Sequence, residues 1–211
     1  RLWKQRWVVH CQPAGSGQAA LRYLSPYVFK TATGDRDLRL KGRVRISGAK
    51  NAVLPAIAAG LLTSEEIRLR NVPRVKDVHT ILTLIGELGG TSSIADDAIS
   101  VRVARIASDE ASYELVRAMR ASILVLGPLL ARFGKATVAL PGGCAIGSRP
   151  IDLHIHGLRK MGAAINLEHG YIIAEASRLH GAEVEFEKKT VTGTENLVMA
   201  AALAEGETLL K

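Results

Sequence analysis

At 211 residues, with 47% apolar residues and a mean hydropathy of +0.13, the chain can bury the core of one sizeable domain or two small ones. Its apolar runs, such as 123–126 and 197–204, are far too short to cross a bilayer, and two cysteines make no disulfide framework. The net charge of +8 is unevenly spread: residues 1–50 hold eleven Lys or Arg against two acids, whereas residues 51–211 hold seventeen against eighteen. Trp3, Trp7, Tyr23, Tyr27 and Phe29 all fall within the first thirty residues. Two differently composed segments therefore meet near residue 38. A basic, aromatic front of this kind is compatible with nucleic acid, while the remainder has no global charge that would draw it there. The opening Arg-Leu-Trp-Lys-Gln-Arg-Trp is soon interrupted by His10 and Gln12, unlike a secretion signal, so a reducing cytoplasm is the expected compartment.

After the front, strands and helices alternate. Residues 43–46 alternate apolar and polar side chains as a strand does, and Ser47-Gly48 leads into an Ala-rich helix over 50–62. A strand at 67–70 and a turn at Asn71-Val72-Pro73 follow. Val78, Ile81, Leu82, Ile85 and Leu88 have helical spacing, and Gly89-Gly90 ends that helix. Short strands are expected at 92–95 and 99–103, with Asp96-Asp97 as a solvated turn between them. Val116, Met119, Ile123, Leu126 and Leu130 predict one longer helix, kinked at Pro128. A strand at 136–140, a Gly-rich loop at 141–149, a helix at 151–161 and strands at 165–167 and 171–174 complete the series.

The pattern repeats. Ser47-Gly48-Ala49-Lys50-Asn51 and Thr192-Gly193-Thr194-Glu195-Asn196 each introduce an apolar helix. Leu88-Gly89-Gly90 and Met161-Gly162-Ala163 each end a helix that two short strands follow. The expected unit is strand, helix, strand, helix, strand, strand. One unit spans about 40–105, a second continues to about 177, and a third begins near Gly181 and reaches only strand, helix, strand. An incomplete unit is expected to leave apolar surface uncovered.

The chemistry concentrates in Pro141-Gly142-Gly143-Cys144-Ala145-Ile146-Gly147-Ser148-Arg149-Pro150-Ile151-Asp152-Leu153. Three glycines allow this loop to close over a ligand, and Arg149 lies close enough to stabilise a Cys144 thiolate as nucleophile or proton donor. A structural cysteine in a tight turn would satisfy the same pattern. Lys50, at a helix start, stands against the preference of the helix dipole, which hints at use. Asp77 could cap the helix that follows it. His154 and His156 lie two apart on a helix, so they point to different sides and make no metal pair.

This loop, together with 46–52 and Met119-Arg120-Ala121-Ser122, resembles the UDP-N-acetylglucosamine enolpyruvyl transferases, in order and spacing over about 39–211. The resemblance implies an α/β (α+β) fold: repeated units packed around buried helices as an inside-out barrel, here incomplete. Residues 39–211 would form part of one of two such domains, with the active site in the cleft between them. The implied reaction transfers enolpyruvate from phosphoenolpyruvate to the 3-hydroxyl of UDP-N-acetylglucosamine, the first committed step of peptidoglycan synthesis, with no metal or organic cofactor. Cys144 is implied as the catalytic proton donor and as the target of fosfomycin. Lys50 and Asn51 are implied contacts of phosphoenolpyruvate, and Arg120 is a ligand-binding arginine. Arg149, Pro150, Ile151, Asp152 and Leu153 match the segment that holds the nucleotide sugar, with Lys188, Thr190 and Val191 near a further nucleotide contact. Asp77 matches a position near the cleft. The family's general-base aspartate and several arginines belong to the other half, so this chain alone is expected to be inactive. The related shikimate-pathway transferase shares the fold, but the cysteine loop and Ser-Gly-Ala-Lys-Asn argue against it.

Residues 1–38 resemble a short internal piece of rolling-circle insertion-sequence transposases. Tyr23 and Tyr27 would fit the attacking tyrosine pair of those enzymes, but the accompanying metal-binding histidines are absent. The front is expected to be a poorly ordered, non-catalytic remnant of gene fusion. The alternative, a nucleic-acid-binding remnant, has a direct check. Residues 1–38 are expected to add no DNA affinity; salt-sensitive DNA binding that disappears on their deletion, read by fluorescence anisotropy, would show otherwise.

Overall fold

In the computed structural model, residues 47–140 and 151–211 are described. The strand expected at 43–46 and the loop at 141–149 lie outside these residues. The first unit runs α1 (Lys50–Ala58), a 3-10 turn (Ala59–Leu62), β1 (Ile67–Leu69), α2 (Lys76–Glu87), β2 (Thr91–Ala95) and β3 (Ala98–Arg102). The second runs β4 (Glu110–Ala111), α3 (Tyr113–Ala118), a 3-10 segment (Arg120–Val125), α4 (Leu126–Phe133), β5 (Lys135–Ala139), α5 (Asp152–Lys160), β6 (Ala164–Glu168) and β7 (Tyr171–Glu175). The third holds β8 (Glu183–Val184), α6 (Val191–Ala201) and β9 (Leu209–Leu210).

The three sheets share one plan. The first has order β1-β3-β2 and the second β4-β5-β7-β6, so β1, β3 and β2 correspond to β5, β7 and β6. β4 pairs parallel to β5, and β8 pairs parallel to β9 in the same way. From α2 and α5 onward the two units keep step at a spacing of seventy-three residues, from Leu88 and Met161 through both hairpins to Ala107 and His180.

The chemistry of each helix end explains why the repeat is so regular. Gly89 and Gly162 adopt φ of +98° and +95°, a left-handed conformation that side chains rarely take. Gly89 N donates to Gly86 O at 3.0 Å and Gly90 N to Ile85 O at 2.8 Å. Gly162 N and Ala163 N do the same to Arg159 O and Leu158 O, both at 3.0 Å. These paired bonds satisfy carbonyls that the helix itself leaves open. The next carbonyl, of Leu88 or Met161, accepts from Ala107 N or His180 N at 2.9 Å, which fixes where the chain enters the following unit. Each hairpin then turns in two residues, with Asp96 at φ 51° and His169 at φ 50°.

The single long helix expected across 116–130 is instead three pieces. Met119 is extended, at φ −142° and ψ 113°, and separates α3 from the 3-10 segment. Pro128 makes no kink, because it falls in the first turn of α4, where a helix needs no N–H partner. The apolar stripe is nevertheless correct: Val116, Met119, Ile123, Leu126 and Leu130 are all buried.

Buried helices form the centre. Leu126, Gly127, Pro128, Leu129 and Leu130 of α4 are consecutively buried, which marks a helix enclosed on all sides. α6 packs against both α4 and α5. It crosses α4 at Gly127, where a Cβ would overlap Asn196, and α5 at Gly157, where a Cβ would overlap Leu197. Arg132, at the end of α4, ties the first two units together. Its Nη1 shares two N–H groups among Leu61 O, Thr63 O and Val103 O at 2.9, 2.6 and 2.8 Å, and its Nη2 donates to Ala104 O at 3.1 Å. Val191, Val198, Leu203 and Leu209, all in the third unit, are exposed large apolar residues.

Two substitutions test these joints by urea unfolding. Gly127→Ala should cost about 2 kcal/mol or more, because backbone as well as side chain would have to move. Arg132→Met should cost about 2–3 kcal/mol through the loss of charged donors to four carbonyls. Arg178→Met, which removes only an exposed ion pair with Glu205, should stay within about 0.5 kcal/mol.

Candidate functional site

Lys50 is the first residue of α1, and Asp77 lies in the first turn of α2. Lys50 Nζ meets Asp77 Oδ2 at 2.9 Å, with the two side chains 40% and 33% exposed. A pair this open contributes only about 0–1 kcal/mol to stability. Asp77 therefore does not cap its helix as the sequence suggested. Val75 occupies the N-cap of α2 and makes no side-chain cap bond. Asp77 instead favours the positive end of α2 and offsets the unfavourable placement of a lysine at the start of α1. Asn51 follows in the first turn of α1 with its side chain exposed. Arg120 opens the 3-10 segment, which packs against α1 on one side and α6 on the other.

A second pair of helix starts is joined in the same manner. Ile151 is the N-cap of α5, Asp152 its exposed first residue, and Leu153 is half-buried. Thr190 is the N-cap of α6: its hydroxyl accepts from Gly193 N at 3.1 Å, and its carbonyl accepts from Thr194 Oγ1 at 2.6 Å. Val191 is 72% exposed, and Lys188 is exposed in the connection from β8. His154 in α5 lies 3.4 Å, Nε2 to Oγ1, from Thr192 in the first turn of α6. The structure thus brings Lys50 to Asp77, and 151–154 to 190–192. Cys144, Arg149 and Pro150 lie outside the described residues.

Three features were not legible as part of this site. Lys50 and Asp77 were each singled out, but nothing in the sequence joined them across twenty-seven positions. His154 is buried while His156 is exposed, as different faces of a helix require, yet His154 is enclosed in a polar network rather than packed as an ordinary helix residue. Asn196 is fully buried, although Asn51 at the matching point of the repeated motif is exposed. Beside it, burial pushes the Glu195 carboxyl above the usual carboxylate range. No group of three or more metal-ligating side chains occurs among the described residues.

Residues 35–211 match the model of the family described as EPSP synthase (3-phosphoshikimate 1-carboxyvinyltransferase). The chain belongs to that family. The enolpyruvyl transferase NikO from Streptomyces tendae has the same fold at 21% identity and a TM-score of 0.69, over 83% of this chain and 41% of that one. An EPSP synthase structure from Acinetobacter baumannii matches at 17% identity and a TM-score of 0.65, over 81% of this chain and 40% of that one. The chain therefore spans about two fifths of the solved structures it matches. The enolpyruvyl transferase fold expected from the repeats and motifs is the fold observed. Residues 1–46 match a family model described as a putative transposase, as the front's resemblance suggested. No helix among the described residues is long and apolar enough to cross a membrane.

The Glu195 shift has a definite sign. A carboxyl raised in the folded state binds its proton more tightly than in the unfolded chain, so it costs stability at pH above its folded value. That cost disappears as the pH falls below the ordinary glutamate range of about 4.3. Glu195→Gln should therefore raise the thermal midpoint at pH 7, and the gain should shrink to nothing by about pH 4 in a pH series of melts.

Proposed function

We propose that residues 39–211 are the greater part of one domain of an enolpyruvyl transferase acting on phosphoenolpyruvate and UDP-N-acetylglucosamine in the cytoplasm. The enolpyruvyl group would move to the sugar's 3-hydroxyl with release of phosphate, the first committed step of peptidoglycan synthesis. The observation that carries this is Lys50: a cation held by Asp77 at a helix start, open to solvent and of little use to stability. Such a group suits the phosphate and carboxylate of phosphoenolpyruvate, with Asn51 beside it and Arg120 contributing a further charge.

In this scheme Cys144 delivers a proton to the methylene carbon, which leaves the adjacent carbon open to attack by the sugar oxygen. The segment 149–153 and residues Lys188, Thr190 and Val191 hold the nucleotide sugar. A second domain of like fold supplies the base for the sugar hydroxyl and the remaining cations, so turnover requires both halves. No metal or organic cofactor takes part. The family model's description favours a second acceptor, 3-phosphoshikimate. Cys144 and Ser47-Gly48-Ala49-Lys50-Asn51 support the UDP-sugar instead.

Mass spectrometry of the full chain after incubation with fosfomycin separates these possibilities. One adduct on Cys144, formed faster with UDP-N-acetylglucosamine, is expected, and Lys50→Ala should slow it about tenfold or more. Acceleration by 3-phosphoshikimate alone would move the assignment to the second acceptor. No adduct, or equal labelling of Cys11 and Cys144, would refute the UDP-sugar assignment.

A further inference from the structure

The buried polar side chains among the described residues are Ser122, His154 and Asn196. Asn196 sits where α6 crosses α4. Its Oδ1 accepts from Gly127 N at 2.7 Å. Its Nδ2 carries two hydrogens: one goes to Ile123 O at 3.1 Å, and the other faces His154 Nδ1 at 3.0 Å. Nδ1 must then accept, which leaves the ring proton on Nε2, pointing at Thr192 Oγ1 at 3.4 Å. The result is a chain of hydrogen bonds with one direction. It starts at a carboxamide locked in the core and ends at an exposed hydroxyl in the first turn of α6.

The fold does not need a histidine there. The residue seventy-three positions earlier, at the same point of α2, is Ile81, which is fully buried among apolar neighbours. An imidazole in the equivalent place of α5 gives up apolar burial and must be matched by partners. What it adds is a side-chain link between the starts of α5 and α6. Those turns carry Asp152 and Leu153 on one side, and Thr190 and Val191 on the other.

We propose that His154 is a positioning residue: fixed from the core by Asn196, it sets the first turn of α5 against that of α6 and so the spacing of the two segments that hold the nucleotide sugar. The sugar-holding role rests on the function proposed above; the coupling of the two turns does not.

Hydrogen exchange of the full chain tests both parts, using Thr192→Val and Thr192→Ser. Thr192 is exposed, so neither change should disturb the core. Without ligand, Thr192→Val should speed exchange in the first turn of α5, including the Ile155 amide that bonds Ile151 O, by about threefold or more. Exchange in α2, whose start is tied to α1 by Lys50 and Asp77 and not through Thr192, and the unfolding midpoint should not move, and Thr192→Ser should restore the wild-type rate. Unchanged exchange in α5, or faster exchange everywhere, would overturn the coupling. With UDP-N-acetylglucosamine as probe, Thr192→Val should weaken binding about three- to tenfold. Equal affinity in wild type and Thr192→Val would overturn the positioning role. Absence of binding in the wild type, with α5 still responding, would refute the nucleotide-sugar assignment and leave the coupling standing.

Discussion

The approach of α6 to α4 at Gly127 is the constraint on which the rest of the molecule depends. Two helices come so close there that the side-chain oxygen of Asn196 bonds directly to the Gly127 amide, in the space where any Cβ would stand. Pro128 contributes to the same arrangement. Because a proline occupies the first turn of α4, the carbonyl of Leu124 is asked for no helical bond from that position, and this stretch of chain can change from 3-10 to α without strain. The amide of Asn196 then takes up the Ile123 carbonyl at the same junction, at 3.1 Å. A buried amide with its oxygen and both N–H groups engaged can fix one register between helices where apolar packing alone would allow several. Gly157 allows the same closeness on the other flank, so α6 is held between two neighbours at defined depth and rotation.

Around that centre, the periodic features were legible in the sequence because each is set by local chemistry. Gly89 and Gly162 end their helices for the same backbone reason, and the two-residue hairpins at Asp96 and His169 follow at the same distance. Apolar spacing identified the buried stripe from Val116 to Leu130 even where it misjudged the helix as continuous. The break at Met119 was not legible, since an extended residue between two helical pieces leaves no mark on apolar periodicity. Nor was Arg132, whose four carbonyl partners come from two stretches of the first unit, 61–63 and 103–104, and are neighbours only after folding.

The candidate site divides in the same way. Lys50, Asn51, Arg120 and 151–153 could be picked out as candidates because they stand in recognisable motifs at helix starts, and helix starts are where the backbone itself favours anions. What joins these starts was hidden. Lys50 meets Asp77 and His154 meets Thr192 across long sequence separations, through contacts that only the packing of neighbouring helices creates.

The internal repeat shows how one structural plan yields both a core and solvent-facing helix starts. Lys50 and Asn51 open α1 with their side chains toward solvent, while the matching Glu195 and Asn196 of α6 lie half-buried and buried. Ile81 fills the core of the first unit at the place where His154 carries a hydrogen bond in the second. Residues that match in the sequence repeat therefore serve opposite ends: Lys50 opens α1, whereas Glu195 and Asn196 lie one turn inside α6, and burial decides which. The outward position keeps a charge open to solvent. The inward one turns an amide into an anchor and leaves a carboxyl, Glu195, where water solvates it poorly. A polar side chain kept at such a place costs stability that an apolar residue, such as Ile81 at the matching position, would not. The cost is balanced only where the polar group holds something in position, and in this molecule Asn196 and His154 hold the two helix starts that the proposed substrate would span.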